Sequence, residues 1–277
     1  QLQDYEMSIR NLEELKRNGF SRQMTNFNRI NYTLAYAYFL QEDYEKAMSL
    51  YQEYIKHAKV GEARLLDSYL RVADIYFIAK DFNKAIANYQ IAERISPNYL
   101  PYAVYQKAQA SGGNGNLAEK IRVLKAFTQT KRDFELSDDA FAELGVTYLL
   151  TGKEAEAIET FTALMNRFPN SPFYRTALLK TGLAHYNLDH RNEALVNLKL
   201  LVAKFPGTQE SKEALVSIRN IYVESNTAEE FFTYVNGLPN GNVTSSEQDT
   251  IMYRATENVY MNGDCKSAIP GFSNYIL

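Results

Sequence analysis

The chain has 277 residues, 45% of them hydrophobic and 23% charged, with a net charge of −3. That composition fits a folded protein rather than a disordered one, and it supplies no basic face for nucleic acid. A single cysteine, Cys265, excludes an internal disulfide, and with only three histidines it leaves no zinc ligand set. No apolar run reaches the roughly 18–20 residues of a membrane helix.

In chain order, Asp4 to Ile9 lines up with Asp43 to Met48, so residues 1–20 are predicted to be the second helix of a preceding repeat. Helix pairs are then predicted at 28–60, 66–98, 101–132, 138–170 and 175–207, followed by a degenerate pair at 212–240 and a truncated one at 249–277. The register comes from a ladder at the start of each second helix: Ala47, Ala85, Lys120, Ala157, Ala194, Phe231 and Ala268. Its steps are 38, 35 and then 37 residues throughout. Twelve residues before the first five lie Ala35, Ala73, Ala108, Gly145 and Gly182. Antiparallel helices approach closely where small side chains face each other, and large neighbours at i, i+3 and i+4 fill the seam. Leu34, Tyr38, Tyr51 and Tyr54 are such neighbours in the first pair; Phe141, Leu144, Tyr148, Phe161 and Leu164 are in the fourth.

Turn signals lie between the helices at Gln41-Glu42-Asp43, Lys80-Asp81, Thr151-Gly152-Lys153 and Leu188-Asp189-His190. Pro97, Pro169 and Pro206 are expected to end second helices. Two pairs depart from the pattern. In the third, the Ser111-to-Asn116 glycine-rich stretch reads as a mobile turn and Lys120 takes the small position. In the sixth, Arg219 and Phe231 occupy both small positions, which predicts a splayed or shortened pair.

The order aromatic, Leu-Gly, Tyr, Ala, Phe, Pro, carried best by Phe141, Leu144, Gly145, Tyr148, Ala157, Phe161 and Pro169, resembles the tetratricopeptide repeat. Tyr69, Ala73, Tyr76, Ala85, Tyr89 and Pro97 resemble it as well. The resemblance implies an all-α fold, a right-handed superhelical solenoid of antiparallel helix pairs. Because the twelve-residue intervals are constant while the period is 37, the extra residues fall at the proline junctions. Ser171 before Pro172 reads as an N-cap with proline at the first helical position, predicting a first helix longer by almost one turn. Phe168-Pro169-Asn170-Ser171 and Phe205-Pro206-Gly207-Thr208 resemble a bacterial-envelope subgroup of the family. That subgroup includes the lipoprotein of outer-membrane β-barrel assembly and the Tol-Pal accessory protein. It implies a periplasmic or outer-membrane-associated location, with a cytoplasmic one as the alternative. The start at Gln1 and the end at Tyr275-Ile276-Leu277 read as cuts from a longer array.

No catalytic residue is identified. His57, His185 and His190 form no nucleophile, base and orienter grouping, and the glycine-rich stretch lacks the lysine and hydroxyl of a phosphate loop. Asp138-Asp139 and Glu229-Glu230 are expected at helix starts, where the dipole favours negative charge. The reading is therefore a non-enzyme with no cofactor and no metal site.

The resemblance also implies that first helices line a concave groove. Mapped onto the repeat, its candidate partner-binding residues are Tyr32, Tyr36, Phe39, Leu70, Asp74, Phe77, Tyr102, Tyr105 and Gln109. A clamp for C-terminal carboxylates would need Lys, Asn and Arg where Tyr32, Tyr36 and Leu70 stand. Large aromatic area suits a protein or peptide partner, although the same tyrosines can equally pack on the adjacent repeat. The functional expectation is a protein–protein interaction scaffold. The alternatives are a rigid spacer or self-assembly module, self-associating through open solenoid ends, and a docking segment of a larger enzyme.

Overall fold

The computed structural model describes residues 2–18, 27–59, 61–96, 98, 100–130, 132–239 and 241–273. Pro97 and residues 274–277, on which two of the expectations fall, lie outside them. All regular structure among the described residues is α-helical. The helices are α1 (Leu2–Arg17), α2 (Phe27–Leu40), α3 (Tyr44–His57), α4 (Ala63–Ile78), α5 (Phe82–Ile95), α6 (Pro101–Gly113), α7 (Leu117–Thr128) and α8 (Ser137–Leu150). They continue as α9 (Glu154–Arg167), α10 (Tyr174–Asn187), α11 (Arg191–Lys204), α12 (Gln209–Glu224), α13 (Ala228–Asn236), α14 (Ser245–Met261) and α15 (Cys265–Ser273). The chain divides into two compact units, 1–140 and 141–277.

Seven turns fix the pairing, and all seven are built alike. Each contains one residue with positive φ: Glu42, Lys80, Gly115, Gly152, Asp189, Asn226 and Gly263. Each lies five residues before a rung of the small-residue ladder, so the spacing repeats without a slip. In every turn that residue's N–H donates to the carbonyl three residues back, as Glu42 does to Phe39. The next N–H donates to the carbonyl five back, as Asp43 does to Tyr38. This is the Schellman closure, which satisfies carbonyls that a helix end would otherwise leave unpaired. The following helix starts at once: Asp43, Asp81, Asn116 and Asp264 each accept a backbone N–H three residues on.

The seams follow the small residues. Ala35, Ala47, Ala73, Ala85, Ala108, Ala157 and Ala194 are fully buried. A methyl added at Gly145 would lie 2.5 Å from the Phe161 ring, and one at Gly182 would lie 2.7 Å from Leu198. In the first unit, Leu34, Tyr38, Tyr51, Val72 and Ile75 form one core cluster, and Ala73, Ala85, Tyr89, Ala103 and Ala110 form the next. In the second, Leu178, Leu198, Leu201, Ile218 and Ile221 continue into Phe231, Val235 and Ile251.

Two expectations are corrected. The glycine-rich stretch is only in part a turn: Ser111, Gly112 and Gly113 form the last turn of α6, and Asn114 to Asn116 close it with the same hydrogen bonds as the other turns. Gly113 accommodates the Phe82 ring, which would lie 2.6 Å from an added methyl. Gly112 accommodates Lys120, whose Cδ would lie 2.8 Å from one. The large residue at a small position is thus matched by a missing side chain one helical turn further along the facing helix. The lengthened first helix is also absent at the 169–173 junction, since α10 has 14 residues, like α9 and α11. The Ser171 hydroxyl accepts the Phe173 N–H, and the Tyr174 N–H donates to the Ser171 carbonyl, so Pro172-Phe173 close a tight turn. Helix α12, with 16 residues and the Thr208 hydroxyl as its cap, does begin earlier. In the sixth pair, α13 has 9 residues.

Candidate functional site

In the first unit the first helices α2 and α4 lie against each other, and their shared face carries most of the candidate binding residues. Tyr32 is half-buried, with its ring 6.5 Å from Tyr36, 5.5 Å from Tyr54 and 6.1 Å from Tyr51. Its hydroxyl donates to Asp67 over 2.8 Å, and the Arg64 guanidinium stands over the ring at 5.7 Å. Tyr36 stacks on Tyr32 yet keeps 43% of its surface exposed. Phe39 is half-buried, edge-on to Tyr44 and beneath Arg71.

Asp74 does not present its carboxylate to an open groove. It is 7% exposed. The hydroxyls of Tyr89 and Tyr102 donate to its Oδ1 over 2.6 and 2.9 Å, and Arg71 Nη1 reaches its Oδ2 at 2.7 Å. Arg71 Nε also approaches Asp67 at 3.4 Å. The result is a continuous chain, Tyr32–Asp67–Arg71–Asp74–Tyr89/Tyr102, running across α2, α4, α5 and α6. Burial pushes the Asp74 carboxyl above its usual range, while the two phenols and Arg71 pull the other way. Burial, helped by Asp74, pushes the Tyr102 phenol up to about 12. The phenol of Tyr32 rises too, by burial and then by its bond to Asp67.

Leu70 and Phe77 pack against the second core cluster, and Phe77 meets Phe82 edge-on. Tyr105 and Gln109 on α6 are half-buried. The structure therefore sorts the candidates. Asp74 and the hydroxyls of Tyr32 and Tyr102 are spent on joining neighbouring repeats. Tyr36 is the aromatic left open. Arg71, Asp67 and Tyr89 complete the network; repeat position marks Asp67 as a groove residue and Tyr89 as a seam residue but does not join them, because no sequence spacing says whose hydroxyl meets whose carboxylate.

Among the described residues no group of three His, Cys, Asp or Glu is placed to hold a metal ion, and no helix is long and apolar enough to cross a membrane. His185 is half-buried with its ring 5.9 Å from His190, and burial lowers its pKa, with a smaller push the same way from His190 and an opposing one from Glu193.

Residues 31–58, 139–171 and 176–208 match one tetratricopeptide-repeat family model, and residues 66–99 match a second. These segments are tetratricopeptide repeats. Each coincides with a helix pair whose turn has the shared closure, and the same closure marks the other three pairs. Solved structures share the fold. The C-terminal part of a tetratricopeptide-repeat protein from Cytophaga hutchinsonii superposes with a TM-score of 0.62 at 16% identity, over 97% of this chain and 94% of that one. YrrB, described as a tetratricopeptide-repeat protein with an unusual peptide-binding site, gives 0.54 at 14% identity, over 73% and 96%. PilF from Pseudomonas aeruginosa gives 0.52 at 14%, over 80% and 96%. No curated protein matches the sequence at significant similarity. The tetratricopeptide fold suggests a scaffold for protein–protein interaction, with protein partners.

Proposed function

We propose that the first-helix face of the first unit captures a peptide segment or an extended loop of a protein partner, with Tyr36 at its centre. The observation that carries this is Tyr36 itself. It is an aromatic left 43% exposed and held by stacking on a Tyr32 ring that Asp67 fixes in place. Side chains already ordered lose little entropy on binding, which is what a contact residue needs. Phe39, Leu70, Phe77, Tyr105 and Gln109 extend the surface, and the half-burial of each leaves part of it accessible. The peptide-binding site stated for YrrB supports this reading through likeness of fold. A bacterial-envelope setting belongs to the same proposal and rests on the Phe-Pro junctions at 168–169 and 205–206.

A photo-crosslinking residue placed at position 36 or 105 should capture a partner in the native cell, while one at Gln52, exposed on α3, should not. Equal capture from all three positions, or capture from position 52 alone, overturns the groove reading. Fractionation tests the setting: co-migration with cytoplasmic markers would exclude the envelope.

A second reading, self-association, has its own observation. Met261 and Ile269, on α14 and α15, are 75% and 62% exposed. Sedimentation of the wild type against Met261→Glu with Ile269→Glu decides it. A concentration-dependent oligomer that the double variant abolishes supports self-association, and identical monomers remove it.

A further inference from the structure

The sixth repeat breaks the small-residue rule at both positions of its seam, and a cavity opens there. Where the first, second, fourth and fifth pairs set Ala or Gly against Ala, this one sets Arg219 on α12 against Phe231 on α13. A pocket of about 330 Å³ lies between α12, α13 and α14, with Leu215, Phe231 and Ile251 among its apolar walls. That volume is at the lower end of the range of small-molecule sites, roughly 300–1,000 Å³.

Its polar character is set by Arg219 and by Arg254 of α14, both of which line it. Arg219 is half-buried and Arg254 exposed. Among the described residues neither has a hydrogen bond or an ion pair. The acid that lines the pocket with them, Glu247, feels the Arg219 charge but spends its hydrogen bonds elsewhere: its Oε2 accepts the Thr244 N–H over 2.9 Å and the Thr244 hydroxyl over 2.7 Å, closing the capping box of α14. Glu247 keeps its charge in the cap, but the two guanidinium groups outnumber it, so the pocket lining is net positive beside apolar walls and complementary to an anion carried on an apolar body. Guanidinium groups match carboxylates in both charge and planar geometry.

We propose that this pocket binds an organic carboxylate, its apolar body against Leu215, Phe231 and Ile251 and its carboxylate held by Arg219 and Arg254. The site lies in the second unit and does not depend on the groove of the first.

The test uses the whole chain and 4-phenylbutyrate, followed by ligand-observed NMR and calorimetry, with 4-phenylbutanamide as the uncharged control. The acid should bind saturably with a Kd on the order of 1 mM or tighter. The amide, and the acid against Arg219→Gln or Arg254→Gln, should bind about tenfold more weakly, the range expected for a charge-assisted hydrogen bond. Circular dichroism should be unchanged in both variants. A tetrapeptide ending in Phe, offered with a free and with an amidated C-terminus, separates the sources. Binding of the free-terminus peptide alongside the acid assigns a peptide C-terminus, and binding of the acid alone assigns a small molecule. No saturation, equal binding of acid and amide, or unchanged binding in both arginine variants overturns the proposal.

Discussion

At the scale of single residues, glycines in the seams act through what they leave out. Phe161 and Leu198 occupy the space that a methyl would take at Gly145 and Gly182. Gly145→Ala and Gly182→Ala should each cost about 1–3 kcal/mol, because a buried ring or isobutyl group must leave its rotamer. Urea denaturation checks this through a lower midpoint at unchanged m-value. His185 supplies the pH dependence. Its pKa is lowered in the folded state, so the unfolded chain binds more protons as the pH falls below its ordinary value of 6.5. Stability is therefore full above that value, declines as the pH falls through it toward the folded pKa, and then levels. His185→Gln should flatten that decline, as thermal melts between pH 7.5 and 5 would show.

At the scale of elements, the turns carry the fold's regularity and also its local strain. Glu42, Lys80, Asp189 and Asn226 hold a left-handed backbone that other turns give to glycine. The penalty of that conformation for a residue with a Cβ is about 1–2 kcal/mol. Lys80→Gly removes it while adding some chain entropy to the unfolded state, so a net gain of about 0.5–1 kcal/mol is expected on equilibrium unfolding. Much of this architecture is legible in the sequence, because small residues twelve apart and turn residues between them are local signals. Ser171 misleads for a physical reason: its hydroxyl supports a two-residue turn as readily as a helix start, and which one forms depends on the Phe173 N–H. Lys120 looks like a defect until Gly112, a turn away on the facing helix, supplies the room. The network around Asp74 lies beyond sequence reasoning, since its partners Tyr89 and Tyr102 come from two other helices. The sixth pair is a middle case, in which Arg219 and Phe231 signal an irregular seam but not the cavity that results.

At the scale of the whole molecule, stability in a repeat array is a sum over pairs and their nearest neighbours. Asp74→Ala tests how much one inter-repeat network contributes. It leaves Arg71 without its closest carboxylate and two phenols without an acceptor, and should cost about 3 kcal/mol. Hydrogen exchange should show lost protection in α4, α5 and α6, while the amides of α10 to α12 keep theirs.

The identical turns also make the chain a candidate for excision. Gly152 and Asp189 share one backbone conformation and one pair of closing hydrogen bonds, and Gly145 meets Phe161 in the way that Gly182 meets Leu198. Deleting residues 152–188 would splice α8 directly onto α11 and bring Gly145 opposite Leu198 with no new geometry required. The shortened protein should fold cooperatively, with a urea m-value reduced in proportion to its length. A deletion of about half that length, residues 152–169, joins the end of one first helix to the start of the next, α8 to α10, and should not fold.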